Sequence, residues 1–565
     1  MGATGISGDF SSSGEDVGGI RNKAGRNVGS GGMSIGAGAK EVGGEKDFAG
    51  VRTIPNGKGD NPNSDADSAQ QGELQRQLSG RHLNFIAIGG TIGTGFFLGT
   101  GTALVKAGPA GCLISYIFVG TILWSVMVCL GELATYIPTA GAFSAYATRF
   151  VDSSLGFAVG WLYWFGWAVT YALSLVAAGL IIQYWKADIN IGILIAVFWV
   201  VFTVVNYLPV GIYGELEMWL SSLKVITIVG FIIFAICIAA GAGQEGVIGF
   251  KYWNHPGAFN EYLVPGDVGQ FVGFWAVLIQ ASVSYQGAEL VGVGAGEARD
   301  PRKTVPQAIR VTYWGIMSLF VTTMLLITMV VPSSDKNLLN DSGNASASPL
   351  VIAAHRAGVK VLPDIINAVL LTAVLSAANS NVYSGSRVLL ALAEEGQAPA
   401  IFKKTNRYGI PVYAVAGTAV FGLLGFLNLS SDGGKVFNWL LNITGVAGLT
   451  TWASTCLSHL AFMRALKAQG ISRSDLPYIS RFQPYTAVYG LFFNVLIMLT
   501  QGFTAFINWN VSDFFAAYIS LILFVVLWAG HKLWYRQPMV DPRTADLARG
   551  RYDLNEERSA ADGGV

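Results

Sequence analysis

"IAIGGTIGTGFFLG", residues Ile86 to Gly99, sets five glycines inside the first long apolar stretch of the chain. A glycine in a helix interior costs about 1 kcal/mol relative to alanine, and lipid offers a loosened backbone no replacement hydrogen bonds. The glycines therefore either let neighbouring helices pack closely or open the backbone to hold something. Working outward, the remainder of the chain decides between these.

The 565 residues are 52% hydrophobic and 13% charged, with mean hydropathy +0.48. Soluble proteins carry about 25% charged residues, so this composition places the chain in a membrane. A net charge of +1 gives no reason to expect a nucleic-acid partner. Cys112, Cys129, Cys237 and Cys456 lie in apolar segments without metal-ligand spacing and read as small core residues. Residues 1–75 are polar, glycine-rich and without an apolar face, as in a disordered tail. They lack the features of a cleavable signal peptide, so the first apolar span is expected to direct membrane insertion. The match of "GMSIG" (Gly32 to Gly36) to a hydrolase pattern has no strand–helix context and reads as chance.

Apolar stretches long enough to cross a bilayer recur at 83–105, 111–137, 156–184, 190–208, 216–240, 269–296, 311–331, 361–392, 411–428, 436–463, 485–506 and 512–534. The expected fold is an all-α integral membrane protein with twelve transmembrane helices in a domain over 76–535, followed by a tail at 536–565. Basic residues gather after the sixth span (Arg299, Arg302, Lys303, Arg310), the eighth (Lys403, Lys404, Arg407) and the tenth (Arg464, Lys467, Arg473, Arg481). By the positive-inside rule those loops, and with them both termini, are cytosolic. A glycosylation sequon, Asn344-Ala345-Ser346, falls on the opposite side.

"SYQGAELVGVGAGE" (Ser284 to Glu297) repeats the glycine break in the sixth span and adds an acid, Glu289. Breaks in spans one and six are what a 5+5 inverted repeat with interrupted helices places at a midplane binding site. Freed N–H groups suit a carboxylate and freed carbonyls an ammonium group, so the expected ligand is an amino acid. Small-residue packing is the alternative.

Several runs carry a resemblance. "RHLNFIAIGGTIGTGFFLGTG" (Arg81 to Gly101), "YQGAELVGVGAGEARDPRKTVPQAI" (Tyr285 to Ile309), "SAANSNVYSGSRVLLALAEEGQAP" (Ser376 to Pro399), "FNWLLNITGVAG" (Phe437 to Gly448), "RALKAQGIS" (Arg464 to Ser472) and "QGFTAF" (Gln501 to Phe506) resemble fungal amino-acid permeases of the amino acid–polyamine–organocation superfamily. The similarity extends over about residues 76–535, and Gln286-Gly287 with the "FNWLLNITGVAG" run is closest to the basic-amino-acid branch. The resemblance implies a LeuT-like 5+5 core with two extra helices, and plasma-membrane uptake coupled to protons without another cofactor. One position departs from the family: its third span usually carries a glutamate in "A-L-E-L", whereas this chain reads "ALSL" with Ser174, and the preceding specificity positions are Gly166 and Thr170. A permease for neutral or varied amino acids is the alternative within the class, and a non-transporting amino-acid receptor the alternative outside it.

Backbone argument and resemblance together assign Gly93, Thr94 and Gly95 to the substrate carboxylate, with Ser282, Tyr285, Gln286 and Gly287 facing them. Thr170, Asn379 (within the Asn379-Ser380-Asn381 cluster) and Thr444 complete the expected binding set; helix-to-helix bonding is the plainer reading of each polar residue. Ionisable groups in spans are functional candidates by default. Glu289, Lys224 and Glu132 are therefore the expected proton-coupling residues. By resemblance to bacterial relatives, Lys224 occupies the place of a sodium ion; snorkelling is its alternative. Glu132, near a span end, equally suits helix pairing. Expected partners are the amino acid, the lipid bilayer and ubiquitin-ligase machinery acting on tail lysines such as Lys40, Lys46 and Lys58.

Overall fold

Backbone groups in lipid must be satisfied within their own segment, which drives apolar stretches into helices. In the computed structural model, residues 80–549 are described, apart from 140, 187, 298–299, 340–347, 430–432 and 508. The tail over 1–75, Gly32 to Gly36, the three tail lysines, Arg299 and the sequon lie outside the described residues.

The helices are α1 (Gly80–Thr91), α2 (Thr94–Tyr136), α3 (Ala142–Phe150), α4 (Ser153–Gln183), α5 (Ile191–Val205), α6 (Val210–Cys237), α7 (Gly266–Tyr285), α8 (Leu290–Val293) and α9 (Pro301–Val330). They continue as α10 (Pro349–Arg356), α11 (Leu362–Glu394), α12 (Val412–Phe421), α13 (Gly433–Ala468), α14 (Tyr485–Thr500) and α15 (Val511–Tyr535). No strand occurs among the described residues. Caps fix several starts: Asp152 accepts the Ser154 N–H at 3.2 Å before α4, and Asn190 the Gly192 N–H at 2.8 Å before α5. Proline opens α9 and α10, where its missing N–H is harmless.

By length and composition, nine helices among the described residues are able to cross a membrane, against twelve expected spans. The difference has physical causes. The first two expected spans run together as one 50-residue apolar segment, Ala87–Tyr136. Besides a break at Ile92 and Gly93, that segment turns at Gly108, with φ +71°. An added Cβ there would lie 2.6 Å from the Asn260 nitrogen, so the loop at 258–260 wedges the bend and only glycine fits. α5, expected as span four, is apolar but has only 15 residues. α13, expected as span ten, is diluted by Thr, Ser, Asn and Gly and is not among the nine.

The core follows the helices that lie inside. α2 packs chiefly against α7, and α4 against α11. In contrast α15 turns Val525 and Val526 outward, and α6 turns out Ile226 and Ile233, the burial pattern of helices that lean on lipid. After α15 the chain folds back. The Val540 N–H meets the Val151 carbonyl at 3.0 Å, Gln469 Nε2 bonds the Ala545 carbonyl at 2.7 Å, and Arg149 pairs with Asp546 at 2.9 Å.

Candidate functional site

Both glycine-rich stretches are broken. α1 stops at Thr91, Ile92 and Gly93 are non-helical, and α2 starts at Thr94. Gly93 is extended (φ −148°, ψ −154°) and no side chain caps the new helix, so its first N–H groups face outward with the positive end of the dipole behind them. The second break separates α7 from α8. Gln286 is extended with ψ 143°, and Gly287 takes φ +103°. Gly287 also lets the breaks touch, since an added Cβ would lie 2.7 Å from the Gly90 carbonyl carbon.

Between the breaks lies a cavity, about 600 Å³ with its open mouth included. Gly90, Thr91, Gly93, Thr94 and Gly95 wall it on one side, and Val283, Gln286 and Glu289 on the other. α4 contributes Tyr163, Gly166, Trp167, Thr170, Leu173 and Ser174; α11 gives Ala377 and Asn381; α13 gives Thr444, Ala447 and Gly448. Glu289 is buried, accepting the Gly287 N–H at 3.0 Å and the Tyr163 hydroxyl at 3.5 Å. The Gln286 amide donates to the Gly445 carbonyl at 3.1 Å. Thr170 donates to Thr444 Oγ1 at 3.2 Å, and Asn381 Nδ2 donates to Ser174 Oγ at 3.1 Å. The cavity thus offers free helix N–H groups, one carboxylate and a neutral polar wall. Tyr163 also borders a second cavity of about 250 Å³, lined by Gly141, Phe143, Ser144, Gly160, Val293, Val388 and Ala391.

Of the expected binding residues, Gly93, Thr94, Gly95, Thr170, Gln286 and Thr444 line the cavity, as does Glu289. The other four do not. Ser282 is buried and bonds back to the Leu278 carbonyl at 2.7 Å. Tyr285 is core, its hydroxyl on the Tyr116 carbonyl at 3.1 Å. Gly287 shapes the break from behind, and Asn379 points away, accepting from Asn206 at 2.9 Å. Sequence reasoning passed over Tyr163 and Trp167, whose aromatic run in α4 reads as packing.

Lys224 and Glu132 lie outside the cavity lining. Lys224 Nζ donates to the Gly89 carbonyl at 2.7 Å, in the last turn of α1, and stands 3.7 Å from Glu217. Glu217 takes the Ser376 hydroxyl at 2.9 Å and the Ser221 hydroxyl at 3.2 Å. The sequence did not mark Glu217 because it falls one residue inside the expected start of span five. The i, i+4, i+7 spacing of Glu217, Ser221 and Lys224 was the available signal. Glu132 is held by His459 Nε2 at 2.7 Å, the Ser480 N–H and hydroxyl at 2.8 Å each, and Arg473.

This geometry agrees with family membership. The family model described as "Amino acid permease" matches residues 82–541. The chain belongs to the amino acid permease family. It is 46% identical over 468 residues to a basic amino-acid permease of Saccharomyces cerevisiae, covering 82% of each chain. It is 47% identical over 465 residues to a lysine/arginine permease of Candida albicans, covering 82% of this chain and 81% of that one. Among solved structures it is similar to a manganese transporter of Eremococcus coleocola, with TM-score 0.50 and 13% identity, covering 80% and 93% of the two chains. At that identity the likeness concerns the fold alone. The permease is therefore a multi-pass membrane transporter of amino acids and not an enzyme.

Proposed function

We propose that this permease takes up basic amino acids, lysine and arginine first, across the plasma membrane in symport with protons. The twelve apolar segments all cross in this reading, both termini are cytosolic, the two breaks sit in related halves of a 5+5 repeat, and no cofactor beyond the proton is used. The observation that carries the reading is the cavity with an uncapped helix start on one side and the Glu289 carboxylate on the other. The substrate carboxylate lies against the first N–H groups of α2, where peptide dipoles replace its hydration. Its ammonium group turns to the carbonyls that end α1 and α7, and the side chain runs along Tyr163, Trp167, Thr170 and Thr444. Glu289 is the acid available to a cation, because Ser174 leaves the α4 wall neutral. The relatives named for basic amino acids support the choice of substrate.

The test is labelled lysine uptake in cells lacking their own basic-amino-acid permeases, with unlabelled competitors and a protonophore. Lysine and arginine are expected to compete best, and the protonophore to abolish accumulation. Equal competition by neutral amino acids overturns the substrate assignment. Accumulation that survives the protonophore overturns the coupling, and binding without accumulation makes the chain a receptor.

A further inference from the structure

We propose that Glu217 receives the coupling proton, and that its pairing with Lys224 decides whether the first half-helix, α1, is held in place. This rests on the proton-symport reading and adds a site to it.

Both groups are buried at 1% or less exposure, behind the break and outside the cavity. Charges in such a position persist only when paired and hydrogen-bonded. The pairing here is loose. Nζ and Oε1 stand 3.7 Å apart, beyond a hydrogen bond, while Lys224 spends a short 2.7 Å bond on the Gly89 carbonyl. Glu217 accepts from two hydroxyl donors, Ser376 of α11 and Ser221 of its own helix. Three elements therefore meet at one carboxylate: α6, α11 and the end of α1. Their fit leaves no slack, since an added Cβ on Gly89 would lie 2.5 Å from Glu217 Oε1 and 2.0 Å from Ser221 Oγ.

Consider a proton from outside bonding to a Glu217 oxygen. The site passes from neutral to a net charge of +1, and the Lys224 ammonium loses its counter-ion while its other bond, to Gly89, remains. A lone buried ammonium is strongly unfavourable. The relief available is hydration, which requires the end of α1 to move off the site. Opening admits water, the carboxyl proton leaves to the inner side, and the pair reforms. Proton occupancy and the position of α1 are linked, and because α1 also forms a wall of the cavity, the linkage reaches the substrate.

Among the described side chains, no other ion pair reaches either group within 4.0 Å. α11 carries Asp364, Arg387 and Glu394, each more than ten residues from Ser376 and so roughly 15 Å or more along the helix. α9, also packed on α6, carries Arg302, Lys303 and Arg310.

The experiment uses the full chain in proteoliposomes with a trapped pH dye and labelled lysine. In the unaltered protein, lysine uptake is expected to bring protons in. Glu217→Gln is expected to keep lysine exchange between the two sides while substrate-linked proton uptake falls at least about tenfold, the scale of one charged hydrogen bond. Glu217→Gln combined with Lys224→Met removes both charges, so no unpaired ion burdens the fold, and is expected to behave alike. Proton uptake near the unaltered level in either variant overturns the role of Glu217 and leaves proton symport standing. Absence of lysine-linked proton uptake in the unaltered protein overturns symport itself. Loss of exchange in both variants also overturns the proposal, because it makes the pair a support for transport generally.

Discussion

Glu132 and Glu289 are both buried glutamates in apolar helices, and they differ in what surrounds them. Glu132 is met by His459, Arg473 and two groups of Ser480, which fasten α2 to α13 and to the segment after it. Glu289 holds a long bond from Tyr163 and one from its own turn, and it opens onto a cavity. A saturated carboxylate is committed to holding the structure together; one that opens onto a cavity has capacity left for a cation. Burial alone does not distinguish them, but partner count and the presence of space do.

The contrast breaks first at Glu289→Gln. Lysine uptake is expected to fall by about 10- to 100-fold, the effect of losing one charge-assisted contact, with surface abundance retained; unchanged accumulation would refute the role. Glu132→Gln should do the reverse. Removing one partner of a buried ionic cluster costs about 3 kcal/mol or more, so thermal stability and abundance should drop while the KM of the surviving protein holds. A raised KM with normal stability would reverse the two roles.

Ser174→Glu sharpens the comparison by adding a second acid to the cavity with Asn381 as its neighbour. Preference for lysine over neutral amino acids should rise roughly tenfold, measured by competition, and a flat profile would place the side-chain end of the substrate elsewhere. The smallest effect concerns Glu395, just past the end of α11. Burial, helped by the neighbouring Glu394 charge, raises the pKa of its carboxyl from 4.5 to about 7, against the opposing hydrogen bond from Ser144. A raised carboxyl favours the fold below its ordinary range and loses that contribution as pH climbs through about 7. Glu395→Gln should flatten the fall in thermal stability between those limits, and an unaltered slope would show that another group titrates there.

The breaks were legible because dense glycine recurs in spans one and six, the positions an inverted repeat interrupts, and the structure opens at both. Which polar residues face inward was not. Asn379 and Asn381 lie two positions apart on α11, about 200° around the helix, so one joins the cavity wall and the other turns to Asn206. The same ambiguity took Ser282 and Tyr285 into the expected site alongside Gln286, when Val283 is the neighbour that points there with it. Charge near a span boundary was also hard to read: the sequence alone did not single out Glu217, which α6 places against Ser376. Periodicity gives the face of a helix only after its neighbours are known.

The returning segment after α15 bears on how the protein can be handled. Ala545 and Leu547 are buried, and Gln469 bonds the carbonyls of both Pro542 and Ala545. Shortening the chain at Tyr535 would strip these contacts and expose the surface they cover, whereas a fluorescent or affinity label joined beyond Arg549 leaves every one of them in place.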